Sequence, residues 1–427
     1  MNLSKCLASV TLTGITLLPI ANAADTAALD TPVSTYLSAP PALKTTVSLS
    51  AKETYDTNVY LQDVTASAYK HSWVSSITPS IATEYAFSPL LNSSLSYAPE
   101  INFFHSAHKE NNTKHNIVGK LTGKQDNISY IWNASLLAID GSKTDSIYTG
   151  PGGAPAIGGG ERMLRRNQNW YRSNLAVSIT EGAFLIRPVG SLSERYFHDY
   201  HTTTPGYQNL VNRNEFVGGL DLGYVVMPGL TPFVSYRYGH QDGENLLGVV
   251  NNFSNTINRM VIGLEGSPAT WVKLNLLFGE DVRKFTTAAI NIPSLHRTKF
   301  YSDSSVTLLP TKQDTITLSY VRFLQPAFVG RNGYEDITFD AQWRHTINGS
   351  YTVGLGYKEN DGFYEVGSRH DHIHTYNAML AYKFDKLTTV TLAYSYDCTT
   401  TDVPQIADTS GRNFNRNLFS LMVKCGF

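Results

Sequence analysis

The chain has 427 residues, with 34 Lys and Arg against 35 Asp and Glu and a formal net charge of −1. That balance gives no electrostatic footprint for nucleic acid, so no such partner is expected. There are 25 Tyr, 19 Phe and 32 Gly but only 16% charged residues, and no stretch beyond the leader approaches the roughly 18 continuous apolar residues of a membrane-spanning helix. The length suits two or three soluble domains or one large barrel.

Residues 1–23 read as a cleavable signal peptide. Lys5 supplies the positive start, Cys6–Ile20 is a mostly apolar run, and Ala21-Asn22-Ala23 is a small-x-small cleavage site. Residues 24–42, rich in Ala, Thr and Pro, read as a disordered periplasmic lead-in. From residue 43 to 427 one pattern repeats. A strand with apolar residues at every second position is followed alternately by a polar loop and a tight turn.

The first strand, Leu43–Glu53, carries Val47, Leu49 and Ala51 on one face. The second carries Ile77, Ile81 and Tyr85, the third Leu95, Tyr97 and Ile101, the fourth His115, Ile117 and Leu121, and the fifth Ile128, Tyr130 and Trp132. The longest loop, Asp140–Arg162, follows. The sixth to ninth strands are marked by Tyr171 and Leu175, Phe184 and Ile186, Leu220 and Leu222, and Val234 and Tyr236. The tenth has Met260 and Ile262 before a turn at Ser267-Pro268, and the eleventh has Leu274, Leu276 and Phe278. The twelfth to fourteenth are marked by Val306, Leu318 and Phe339, ahead of Asn348-Gly349, a strong hairpin signal. Leu355, Leu380 and Leu392 mark the next three, and Asn417–Phe427 closes the chain. The count is about 18, with both termini at the short-turn end.

The last segment has Phe419, Leu421, Val423, Cys425 and Phe427 on one parity. It resembles the closing strand of bacterial outer-membrane β-barrels, whose terminal Phe is read by the barrel assembly machinery. Strand after strand ends in Tyr, Trp or Phe, as at a membrane–water interface. The expected fold is therefore all-β: a transmembrane antiparallel barrel with short periplasmic turns and long extracellular loops. Such a protein sits among outer-membrane lipid and lipopolysaccharide, and a homo-oligomer is compatible with it. Glu53–Leu61, ETYDTNVYL, resembles the opening of the putative β-barrel porin-2 group, outer-membrane proteins associated with exosortase and exopolysaccharide systems.

The opposite parity should face the lumen. It includes Glu84, Glu100, Lys120, Arg172, Arg187, Asp221, Arg237, Glu265, Lys273, Asp340, Arg344, Lys358, Lys383 and Lys424, in which bases outnumber acids by nine to five. That excess favours anions, unless acids and bases pair across strands and cancel the field. General porins fold one long loop into the lumen, and the loop after the fifth strand resembles it. Its Glu161, Arg162, Arg165 and Arg166 join Arg187, Arg237, Lys273 and Arg344 as candidate lining and constriction residues, with a mobile surface loop as the alternative.

No phosphate-cradling loop, zinc-protease helix or nucleophile elbow occurs, so neither an enzyme nor a cofactor is expected. His370, His372 and His374 share one face of an extended chain and could ligate a metal. They read instead as polar groups at the rim, so no metal site is assigned. Cys398 and Cys425 fall at opposite levels of neighbouring strands and should be free thiols. The expected function is diffusion of small hydrophilic solutes through an outer-membrane pore. The alternatives are a structural or export-associated barrel with a blocked lumen, and a soluble extracellular β-domain.

Overall fold

A computed structural model describes residues 42–61, 70–88, 90–141, 165–198, 212–243, 254–287, 294–326, 333–365, 370–402 and 413–427. The expected leader, nearly all of the lead-in and residues 142–164 of the longest loop lie outside them. The described residues form eighteen strands: β1 Ala42–Asp56, β2 Ser72–Ser88, β3 Leu91–Phe104, β4 Asn112–Gln125, β5 Ile128–Asp140, β6 Gln168–Glu181, β7 Phe184–Phe197, β8 Arg213–Tyr224 and β9 Leu230–Gly243. The circuit continues through β10 Asn255–Ala269, β11 Val272–Phe285, β12 His296–Leu308, β13 Asp314–Pro326, β14 Gly333–Ile347, β15 Tyr351–Tyr364, β16 His370–Lys383, β17 Thr388–Thr401 and β18 Phe414–Gly426.

Each strand pairs antiparallel with its sequence neighbours, and β1 pairs with both β2 and β18, so the sheet has no edge. The closing seam aligns Ser48–Asp56 with Leu418–Gly426. It is fastened at both ends. The Phe427 amide donates to the Val47 carbonyl at 2.8 Å, and Arg416 donates from Nε and Nη2 to the two Asp56 oxygens at 2.9 and 2.7 Å. Cys398 and Cys425 are free thiols, as expected. Cys398 is opposite Asn415 toward the loop ends, and Cys425 opposite Thr388 toward the turn ends.

Turn chemistry follows the residues. Asn348 and Gly349 both have positive φ, 50° and 69°, the conformation of a two-residue hairpin turn whose twist matches its strands. In the β16–β17 turn, the backbone N–H groups of Leu387 and Thr388 donate to Asp385 and hold its carboxyl below the usual range. The expected turn at Ser267-Pro268 is instead part of β10, and the chain reverses at 270–271. Gly266, at φ 131°, opens a register shift before Ala269, and Pro268 sits inside that irregularity where no ladder donor is required. Several strands also outrun their expected ends. β1 continues to Asp56, β9 to Gly243 and β15 to Tyr364, and β16 begins at His370, where the pattern suggested a loop over Asn360–Asp371. Pairing persists there after apolar alternation has stopped, because ladder bonds do not depend on side-chain polarity.

The two faces differ as the alternation requires. Ile81, Leu222 and Leu392 are 44%, 49% and 57% exposed, while Asp221, next to Leu222, is 1% exposed. Arg187 on β7 donates to Glu265 on β10 at 2.7 Å. Three strand spacings, roughly 14 Å, separate those backbones. Side chains converge over such a distance only on a concave surface, so the charged face is the interior. The exposed apolar face is the outer wall. It is bounded toward the loops by Trp73, Phe103, Tyr196, Phe216 and Tyr238, and toward the turns by Phe87, Phe184, Tyr224, Trp271 and Phe384, all exposed. Strands of 12 to 17 residues exceed the roughly 9–11 needed to cross a bilayer.

The facing assignment makes a paired prediction. Leu392→Arg puts a cation on the outer wall and should cost about 2–4 kcal/mol in phospholipid vesicles, whereas Ala393→Arg, one residue on and facing in, should cost far less. Equilibrium unfolding in guanidinium measures both, and equal costs would contradict the assignment.

Candidate functional site

The interior surface is organised by arginines. Toward the turn ends, Arg187 Nε donates to Asp221 Oδ2 at 2.7 Å, and Arg237 Nη1 ion-pairs with Asp221 Oδ1. Arg187 also reaches Glu265. This joins β7, β8, β9 and β10 in one charge-balanced network over the small Ser235, with two bases and two acids. Arg187 is therefore buried rather than solvated.

Toward the loop ends, a second network runs over β8 to β12. Asp281 accepts from Arg259 Nη2 at 2.9 Å and from Arg283 Nη2 at 3.0 Å. Arg283 also donates to Gln241 at 3.2 Å, and Gln241 donates to Glu215 at 2.6 Å. The Arg259 guanidinium stacks on Tyr301, 3.8 Å from its centroid. Here the fixed planar donors of Arg bridge several acceptors at once, which the point charge of Lys does poorly.

A third group lies on β6 to β8. Trp170 has the Arg172 guanidinium 3.8 Å and the Arg195 guanidinium 4.8 Å from the same ring. Arg195 and Arg213 are direct cross-strand partners, an arrangement of like charges that ordinarily repels. Arg195 Nε donates to the neutral Gln168 at 2.6 Å. Glu215 faces inward two residues from Arg213. Three guanidiniums thus share one patch of inner wall.

The loop ends fold into the mouth. Val59, in the segment after β1, packs on Val74, Phe104 and Ala107. Val74 and Phe104 oppose the exposed Trp73 and Phe103, so residues 57–61 lie against the inner wall. Arg165, just before β6, donates to the Val59 carbonyl at 2.5 Å and lies over Phe104. Glu110, in a short 3-10 turn at His108–Glu110 and 0% exposed, meets Arg165 Nε at 3.3 Å and Arg166 Nη2 at 3.6 Å. The expected lining residues Arg165 and Arg166 are thus buried in a brace that ties three loops together. Arg187 and Arg237 meet around Asp221. Lys273 is exposed and Arg344 half-buried, near the turn ends of β11 and β14. Glu161 and Arg162 lie outside the described residues. Arg195, Arg213, Arg259, Arg283 and Glu110 were not among the candidates. Continuing the inward parity past the last apolar residue of each strand finds the first four, but no spacing signals Glu110.

Glu110→Gln should leave two buried guanidiniums without their carboxylate. Breaking a buried ion pair on one side costs about 3–5 kcal/mol, so the unfolding midpoint should fall and trypsin should cleave faster after Arg165 and Arg166. Unchanged stability and cleavage would show that the brace does not hold the mouth.

No protein-family model matches the chain, so the resemblance of Glu53–Leu61 to the porin-2 group gains no support. No curated protein matches it either. Among solved structures, the chain is similar to OpdK of Pseudomonas aeruginosa, determined with vanillate, at 8% identity and a TM-score of 0.42 over 90% of this chain and 98% of that one. It is similar to OccAB4 of Acinetobacter baumannii at 12% identity and a TM-score of 0.44, over 90% and 98% of the two chains. It is also similar to an anion-selective porin of Comamonas acidovorans at 9% identity and a TM-score of 0.39, over 91% and 100%.

Proposed function

We propose that this chain is an outer-membrane channel through which small hydrophilic solutes diffuse, with a preference for anions. The observation that carries the reading is the grouping of Arg172 and Arg195 over Trp170, with Arg213 directly across from Arg195, on the inner wall, behind an outer wall that is apolar between two aromatic bands. The bands and the apolar strip suit a bilayer, and the closed hydrogen-bond circuit is what a strand needs to cross one. A barrel of this strand number is too wide to fill with side chains alone. Arg187, Arg237, Arg259 and Arg283 are each held by acids, and the β6–β8 patch sets three guanidiniums side by side as a source of positive field. Arg165 and Arg166, braced inward by Glu110, narrow the mouth without presenting free charge. Lys273 and Arg344 line the turn-side exit. Selection is then by aperture and by the sign of the wall charge. Export by the cleaved leader and insertion through the closing strand complete the proposal.

Purified, refolded protein in planar bilayers tests it. Stable conductance steps that scale with salt are expected, with a reversal potential under a KCl gradient that indicates anion preference. Arg172→Glu, on the half-buried edge of the patch, should shift the reversal potential toward cations while leaving the barrel folded. Silent membranes would favour a structural or export-associated barrel with a closed lumen. Steps whose selectivity ignores Arg172→Glu would remove the patch from the mechanism.

A further inference from the structure

We propose that Asp361, His370 and His372 form a site for a divalent transition-metal ion on the outer wall, at the loop end of the β15–β16 hairpin. Their ligand atoms all lie within 4.8 Å of one another. His372 is the direct cross-strand partner of Asp361, and His370, two residues earlier on β16 and opposite Phe363, shares the same face. That face also carries Leu355, Phe363, Tyr376 and Leu380, which are exposed, so the site looks away from the lumen.

The donor set is the first argument. Two imidazoles and one carboxylate converge, a combination suited to zinc and similar ions with coordination positions left open for water. The second is geometric. Asp361 Oδ1 is 4.0 Å from His370 Nε2 and in direct contact with His372 Nδ1. Tetrahedral bonds of ~2.0–2.1 Å place ligand atoms about 3.3 Å apart. Side-chain movements of up to about an ångström, one closing and one opening, meet that requirement. The third concerns the atoms themselves. His370 Nε2 is shielded from solvent and makes no hydrogen bond, although such atoms are normally satisfied, and Asp361 Oδ1, equally shielded, has only its ion-pair contact with His372 beside it. A cation bound between them would satisfy both.

The rings are also held in place. His370 stacks on Phe363 with centroids 3.8 Å apart. The His372 ring lies 7° from parallel with His374, and His374 is hydrogen-bonded through Nδ1 to the Tyr357 hydroxyl at 3.1 Å. Tyr357 donates in turn to Glu359 at 3.1 Å. Supporting contacts of this kind raise metal affinity by limiting ligand motion. The carboxylate comes from a strand end that the sequence pattern placed in a loop. Asp371, adjacent to His370, points to the other face and is buried.

The experiment is titration of the full-length folded protein with Zn²⁺ by calorimetry, with Co²⁺ absorption as a second readout. One ion per chain is expected, with tetrahedral cobalt bands and no thiolate charge-transfer band. Asp361→Asn, His370→Gln and His372→Gln should each weaken binding by more than the ~10–100-fold that changes in a supporting shell produce. Cys398→Ser, across from His374, should bind as the parent does. Heat-modifiable gel mobility confirms that each variant is folded, and His372→Gln alone suffices if Asp361→Asn does not fold. Absence of stoichiometric binding, binding that survives the histidine substitutions, or loss of binding in Cys398→Ser would each overturn the site. The result stands apart from channel activity, since the site lies on the opposite side of the wall from the solute path.

Discussion

The constraint on which the rest depends is that a strand in hydrocarbon must find partners for every backbone N–H and C=O within the protein. Water is absent there, and each orphan group costs several kcal/mol. An open sheet leaves two rows of such groups. Here β1 and β18, nearly four hundred residues apart in sequence, remove both rows by pairing. The Asp56–Arg416 ion pair at one end of the seam and the Phe427–Val47 bond at the other fix its register. A slip of one residue would turn every apolar side chain of β18 to the interior and every polar one to the outside. Alternation and closure therefore enforce each other.

Closure also explains the character of the inner wall. Charges excluded from one face must crowd onto the other, and on a concave surface they meet across several strands. Arg187 reaches both Asp221 and Glu265, and Asp281 takes both Arg259 and Arg283. Such networks hold their members in shared geometry, as the two arginines over Trp170 are held on one ring. The same logic applies at the mouth, where Glu110 draws segments that precede β4 and β6 onto the wall below Val59.

Much of this was legible in the alternation. The parity of Ile81, Leu222 and Leu392, the Asn348-Gly349 hairpin, the free thiols and the eighteen strands all follow from local pattern, because a wall with one apolar face demands strict period two. The signal fades where the demand does. Toward the loop ends apolar residues become sparse between the last alternating ones and the aromatics at the rim, so β15 runs past Tyr357 through Glu359 and Asp361 without an apolar mark before Phe363. The irregularity at Gly266 was hidden because Ser-Pro ordinarily reads as a turn. Glu110 was invisible for another reason: its partners are more than fifty residues away and no spacing rule joins them. The histidines of β16 were conspicuous, but their carboxylate partner was not, since it depends on cross-strand register.

The two cysteines have a use that their chemistry alone would not suggest. Both sulfurs belong to the greasy side of neighbouring strands, Cys398 near one rim and Cys425 near the other. The two thiols mark opposite ends of the outer wall. A fluorophore attached at each position would report its depth against lipid-borne quenchers in vesicles, and the difference between the two readings would give the thickness of bilayer that the wall accommodates.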